Sequence, residues 1–263
     1  MTDRRSVDIV VTTVFEPGWL QGYLDNLRAH GRDQDVTIRI VGDRKTPASV
    51  AEAAVVAARA GFRVDCPTLD EQADYLASIG VRPDLVPWNT DNRRNIGFLR
   101  AWESGADVLI SIDDDNHCRP EHDFVGEHLA VGRPSGDHAD REASGGEWFN
   151  ICRLLSGPTT TIHPRGFPYA ARGQAEAEVS AVQPDTAARI VAANAGLWLD
   201  DPDVDAITRL ALRPRVEAAD PSSVVLARGT WTPVNTQNTA VHRGALPAYY
   251  YVRMGFPLQG MRI

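Results

Sequence analysis

Residues 92–116 read NRRNIGFLRAWESGADVLISIDDDN, and the two halves of this stretch have different periods. Ile96, Leu99 and Trp102 recur at helical spacing behind a capping Asp91 or Asn92, and Gly105 closes the helix. Asp107 to Ile112 (DVLISI) then reads as a strand, and Asp113, Asp114 and Asp115 follow it at once. A helix that feeds a strand ending in carboxylates is one step of a parallel α/β fold with chemistry at the strand's carboxyl end.

The upstream sequence repeats that step. Val7 to Val14 (VDIVVTTV) has the apolar and β-branched run of a buried strand, broken at Phe15 to Gly18. Leu20, Tyr23, Leu24 and Leu27 mark a helix that Gly31 stops. Val36 to Val41 is a second strand ending at Gly42 and Asp43. Thr46-Pro47 opens a helix with the stripe Val50, Ala53, Ala54 and Ala57. Gly61 ends it, Phe62 to Asp65 is a short strand, 68–79 a helix, and 80–90 a loop with two prolines. The alternation predicts a mostly parallel central sheet with helices on both faces. Ligands in such sheets bind outside the carboxyl ends of the strands. Thr12, Asp43 and the acidic triplet all occupy such ends.

The second half is less regular and predicts a smaller mixed β region. Residues 133–146 are polar and Gly-rich, a surface loop by composition. Strands are expected over Glu147–Leu155, Arg189–Asn194, Ser222–Ala227, Thr230–Val234 and Asn238–His242. A short helix is expected over Asp203–Leu212, and a closing helix over 244–254. No linker separates independent domains. The expected organisation is a single domain over 1–263, with its halves at 1–118 and 119–263.

Composition removes several classes. The 263 residues carry a formal charge of −8 without a basic block, which argues against a nucleic-acid partner. No apolar run reaches the ~20 residues of a membrane span, so stable membrane insertion is not expected. The N-terminal stretch is short, contains Asp8 and lacks a small-residue cleavage site, so it reads as a strand and not as a signal peptide. The three cysteines, Cys66, Cys118 and Cys152, have no CxxC spacing and read as reduced thiols of a cytoplasmic protein. There is no GxxxxGK[ST] loop, no GxGxxG after the first strand and no GxSxG elbow. His117, His122 and His128 lack zinc spacing and read as surface or helix-end histidines.

Three adjacent carboxylates raise one another's pKa unless a cation or hydrogen-bond donors offset them. A hard divalent ion, Mn²⁺ or Mg²⁺, takes oxygen ligands and uses one or two carboxylates together with substrate phosphates. In extended backbone Asp113 and Asp115 point to one side, which makes them the metal candidates, with Asp114 beside them. Arg93 and Arg94 stand at the start of the preceding helix, where free N–H groups, the dipole and guanidinium groups together suit a phosphate. Asp43 offers an acceptor for a base N–H. Bland readings stay open for each: solvated arginines, and an ordinary turn aspartate.

Beyond the triplet, HPRGFPYAARG (163–173) and GLWLDDPDVDAITRL (196–210) resemble the R-G-Y-P-F-S-L-R-E-G and G-L-W-L-N-I-P-D-Y-D-A-P-T motifs of the UDP-arabinopyranose mutases, also called reversibly glycosylated polypeptides. With GD after the second strand and residues 92–116, the likeness runs in order over roughly 7–254. It implies a GT-A-like, Rossmann-type fold, a UDP-sugar ligand and a Mn²⁺ or Mg²⁺ ion on the triplet. It places Arg165 at the family position that carries the transferred sugar, and Arg172 at a second functional arginine. Trp198, Asp203 and Asp205 fall on the GLWL and D-x-D positions. Trp198 reads equally as core and Asp203 as a helix cap. Ala171 stands where the family has Leu, and Gln174 departs from the pattern after the Arg-Gly pair. The family continues beyond its final helix where this sequence ends, so the sequence is either a piece of a longer protein or lacks that part. An Arg- and Ala-rich composition points to a bacterial relative.

Three functional classes follow. A glycosyltransferase passes the sugar of a UDP-sugar donor to an unidentified small-molecule or polysaccharide-precursor acceptor. A mutase reopens and recaptures the same sugar. A nucleotide-sugar-binding subunit, in an oligomer, does neither.

Overall fold

The computed structural model describes residues 5–158, 161–251, 257–258 and 261–262. They fall into two compact units. The first is Met1–Gly132, Ala192–Asn194 and Thr236–Ile263, and the second is Arg133–Val191 and Ala195–Asn235.

In the first unit the chain runs β1 (Val7–Thr13), α1 (Gly18–Ala29), β2 (Val36–Gly42), α2 (Ala48–Arg59), β3 (Arg63–Asp65), α3 (Leu69–Ser78), α4 (Arg94–Ser104), β4 (Val108–Asp113) and α5 (Phe124–His128). The sheet order is β3-β2-β1-β4, continued by the strands Asn238–His242 and Ala193–Ala195. β1 pairs parallel with β2 and β4, and β2 parallel with β3; Asn238–His242 lies antiparallel to β4. This is the mostly parallel α/β sheet that the strand and helix alternation predicts. Successive strands step outward from β1 to β3 and then return across β1 to β4. Because parallel crossovers are right-handed, that reversal puts α4 on the face opposite α1 and α2. It also makes the carboxyl ends of β1 and β4 the topological switch point, where open α/β sheets bind ligands.

β1 and β4 are buried along nearly their whole length, as continuous apolar strands must be. α4 packs closely because Gly97 faces β1: a Cβ there would stand 2.4 Å from Val10 Cγ1 and 3.2 Å from Val41 Cγ2. The buried stripe of α4 is Arg94, Gly97, Phe98 and Ala101, with Ile96 beside it. The expected stripe of Ile96, Leu99 and Trp102 is therefore corrected: Leu99 is half-buried and Trp102 exposed. Reading glycine as neutral and arginine as polar shifts the stripe, whereas Gly97 is the contact point and Arg94 is buried. The helix also begins after a 3-10 turn at Asp91–Arg93 rather than at an Asp91 or Asn92 cap. Gly105 closes it in the left-handed conformation, as expected.

Asp8, an unexpected carboxylate in a buried strand, is paired with Arg39 and accepts from Ser104 Oγ at 3.1 Å. Arg39 also holds Asp65 at 2.6 Å, and Asp65 holds Arg100 at 2.8 Å. Burial still pushes the Asp8 carboxyl above its ordinary range, with Arg39 opposing.

His128 is a helix-end histidine, the last residue of α5, and it is buried there. It is 3% exposed, with Nε2 2.8 Å from Asn238 Oδ1 and Nδ1 3.1 Å from Asn194 Nδ2. The neutral ring satisfies both amides, donating from Nε2 and accepting at Nδ1; a protonated ring would turn two donors on each other at Nδ1. Burial pulls the pKa down to about 4, and the Asn238 hydrogen bond opposes this only in part. A depressed histidine pKa means that the unfolded chain binds the extra proton between 6.5 and about 4. Its contribution is complete above 6.5 and lost as pH falls, at a slope on the order of 1.4 kcal/mol per pH unit. Urea unfolding at about pH 7.5 and about pH 5 should therefore show wild type losing more stability on acidification than His128→Gln. Equal losses would clear His128 of the effect.

In the second unit the strand Arg141–Ser144 pairs parallel with Val224–Leu226 and antiparallel with Glu178–Ala181. A separate pair joins Leu155–Ser156 to Ala218–Ala219. This is the smaller mixed β region, with differences in detail. The 133–146 loop contains a 3-10 turn at Ser135–Asp137 and the strand Arg141–Ser144. The strand expected over Glu147–Leu155 is instead a 3-10 turn at Ile151–Leu154, because Asn150 Oδ1 accepts from the Cys152 N–H at 3.1 Å and diverts the backbone. Thr230–Val234 forms no strand; Trp231 makes an isolated bridge to Trp148. The closing helix reduces to a 3-10 segment, Arg243–Ala248, in which Pro247 lacks the N–H for an α-helical bond; 252–254 lie outside the described residues. Two apolar clusters form the core, one of Ala143, Phe149, Ile151, Ala177 and Trp198, the other of Cys152, Ile162, Val204 and Val216.

Candidate functional site

At the switch point β4 ends on Asp113, and the register sets Asp113 beside Thr12 of β1. The extended geometry that would align Asp113 with Asp115 stops there. Asp114 and Asp115 occupy a turn closed by the Asn116 N–H on Asp113 O at 3.2 Å. Asp114 Oδ2 accepts from the Val14 N–H at 3.3 Å, and Asp115 is exposed. Partial desolvation, then Asp113 and Asp114, raise the Asp115 carboxyl above its ordinary range. Beneath the turn Tyr23 donates its hydroxyl to Asn116 O at 3.3 Å. Burial, with Cys118, Asp113 and Asp115, pushes that phenol far up, so it stays a donor.

Arg94 crosses this edge from α4. Nη1 donates to Ser111 Oγ at 3.0 Å and to Thr236 O at 2.8 Å; Nη2 donates to Thr12 Oγ1 at 3.0 Å and to Asp113 Oδ1 at 2.5 Å. Its side chain is 5% exposed. Arg93 is buried as well. Its Nη1 donates to Val86 O at 3.2 Å, Nη2 donates to Gln72 Oε1, and the guanidinium lies 3.5 Å from the centre of the Trp88 ring. Burial pulls Arg93 down to about 10, against the attraction of Asp43 and with the repulsion of Arg44. Asp43 is 4.0 Å from Arg93 Nε and accepts from the backbone N–H of Arg44 at 2.7 Å and of Asn89 at 2.6 Å. Asn89 holds a left-handed φ of 57°, so this contact fixes an unfavourable backbone.

Among the described residues no three His, Cys, Asp or Glu side chains converge on one point as a closed metal cage. The donors at the triplet are oxygens on divergent carboxylates, and the buried Asn116 Oδ1 beside them has no hydrogen-bond partner among the described residues. That set suits a hard cation held by one or two carboxylates, with its remaining positions filled by phosphate or water. It does not suit zinc.

The second unit brings the other candidates together in two pairs. Arg165 Nε is 3.1 Å from Asp203 Oδ1, and its backbone N–H donates to Asp203 O at 2.9 Å. Asp203 is buried, and its Oδ2 accepts from Asn235 Nδ2 at 2.7 Å. Arg172 Nη2 donates to Asp205 Oδ2 at 2.8 Å, and Tyr169 donates to Asp205 Oδ1 at 2.9 Å. Asp205, not Asp203, caps the helix Ala206–Leu212, accepting from the Thr208 N–H at 3.0 Å. Desolvation works to raise the Asp205 carboxyl, but bonds from Thr208, Arg172 and Tyr169 together hold it well below the carboxylate range. Trp198 is 9% exposed in the apolar cluster, and its indole N–H has no hydrogen-bond partner among the described residues.

Sequence reasoning passed over Trp88, Asn116, Tyr169 and Asn235. Trp88 lies in a stretch read only as a proline-bearing loop, and its signal was an aromatic residue just ahead of two arginines. Asn116 and Asn235 carry no sequence signal.

No family model matches the sequence, and no curated protein does. Among solved structures the chain is similar to glucosyl-3-phosphoglycerate synthase from Mycobacterium tuberculosis. Its complex with phosphoglyceric acid gives 16% identity over 57% of this chain and 47% of that one, with a TM-score of 0.33. Its complex with Mn²⁺, UDP-glucose and phosphoglyceric acid gives 15% identity, the same coverage and a TM-score of 0.34. The complex with Mg²⁺ and UDP gives 16% identity over 58% and 47%, with a TM-score of 0.33. The chain thus spans about half the length of the synthase it matches. Among the described residues no helix is long and apolar enough to cross a membrane.

Proposed function

We propose that this protein is a metal-dependent glycosyltransferase that uses a UDP-sugar donor. The observation that carries the reading is the acidic triplet at the carboxyl end of β4, next to the end of β1 at the switch of strand order. An Mn²⁺ or Mg²⁺ ion held by Asp113 and Asp115, with Asp114 beside them, would neutralise charge building on the diphosphate as the anomeric C–O bond breaks. Asp43 and Trp88 supply an acceptor and an aromatic face for the base at the end of β2. Arg93, stacked on Trp88 and tied to Val86 and Gln72, orders that segment. Thr12 and Arg94 fix Asp113. The second unit holds two further cations for this reading, Arg165 and Arg172, each oriented by its own aspartate, Asp203 or Asp205, while Trp198 belongs to that unit's apolar core.

The mutase is the second reading, favoured by the 163–173 and 196–210 motifs. Both reactions share bond cleavage and differ in what captures the sugar. Incubation with a panel of UDP-sugars separates them. Release of UDP with slow hydrolysis supports the transferase, and pyranose–furanose interconversion the mutase. Binding without turnover reduces the protein to a nucleotide-sugar-binding subunit.

A further inference from the structure

The charge at the triplet is already partly balanced from within the fold. Each terminal nitrogen of Arg94 carries two N–H groups, and Ser111, Thr236, Thr12 and Asp113 use all four. Nη2 bridges Thr12 and Asp113, which are direct neighbours across the β1–β4 pair. The side chain is 5% exposed, so it reaches no diphosphate without abandoning Asp113 and two strands at once. A guanidinium so fixed differs from a phosphate clamp, which keeps its fork open to the ligand.

We propose that Arg94 is a positioning residue: it holds Asp113 as a built-in counter-ion, so that the triplet binds a free divalent cation weakly and takes it up together with the diphosphate. The inference rests on the metal reading given above. Two effects of Arg94 compete. It restrains Asp113 in one orientation, which favours the metal, and it places a positive charge beside the site, which opposes it. In a partly buried site the Coulomb effect of a unit charge on a divalent ion exceeds the gain from fixing one short side chain. The negative charge of a diphosphate reverses the balance, which couples metal and nucleotide binding.

Titration of the full chain with Mn²⁺, followed by electron paramagnetic resonance with and without UDP, tests this. Wild type should bind free Mn²⁺ weakly and gain about tenfold or more in affinity on adding UDP. Arg94→Met should bind free Mn²⁺ about tenfold more tightly than wild type and gain less from UDP. Arg94→Lys, which keeps the charge, should stay within about threefold of wild type. A merely structural Arg94 predicts weaker metal binding in every variant. Arg94→Gln stands in should the Met variant fail to fold. Folded Met or Gln variants that bind free Mn²⁺ no more tightly than wild type, while UDP still recruits the ion, overturn the proposal. Wild type that retains no Mn²⁺ even with UDP overturns instead the metal reading on which it rests.

Discussion

Asp115→Ala should abolish Mn²⁺-dependent UDP binding, a loss of more than about 100-fold, or about 2.7 kcal/mol, without lowering stability. Asp115 is exposed, and its carboxyl is raised by desolvation and by Asp113 and Asp114, so removing it relieves repulsion in the apo protein. Asp113→Ala should cause a similar loss of binding at a different cost. It leaves Arg94, 5% exposed, without its carboxylate. Breaking a fully buried pair costs about 3–5 kcal/mol; with Asp113 27% exposed and three other acceptors on Arg94, the cost falls below that. Calorimetry with UDP, with and without EDTA, reads the first effect, and urea unfolding the second. Unchanged UDP affinity in Asp115→Ala together with no effect of EDTA would show that the triplet holds no functional ion.

The contrast between these two aspartates shows where sequence reasoning stops. That DDD follows a buried strand is legible because β4 is a continuous apolar run, and strands of that kind declare themselves locally. Which carboxylate is free is not legible, since it depends on a turn closed by Asn116 and on an arginine 19 residues upstream. Arg94 read as a phosphate ligand because helix starts and arginines both attract anions; its four acceptors come from β1, β4 and the segment before Asn238–His242, which only folding assembles. The second unit was read less well for a related reason. Its strands are two to four residues long and its turns depend on side-chain bonds such as that of Asn150, so no periodicity survives to be read.

The same limit applies to the second unit's arginines, where chemistry has to choose between mutase and transferase. Arg165 is 57% exposed and anchored through Nε and its backbone N–H to Asp203, itself held by Asn235. Among the described residues its terminal nitrogens have no hydrogen-bond partner. A guanidinium cation has no free lone pair to attack an anomeric carbon, which makes it a poor nucleophile. As a fixed cation it needs nothing more than it has. Arg165→Lys keeps the charge but loses the anchored fork and should retain part of the turnover; Arg165→Ala should retain almost none. Thermal unfolding of both variants checks that Asp203, which keeps Asn235, has not collapsed the site. Intact-mass measurement of wild type after incubation with UDP-glucose should show no hexose adduct. A stoichiometric adduct mapping to Arg165 would reverse this reading and make the protein a self-glycosylating mutase.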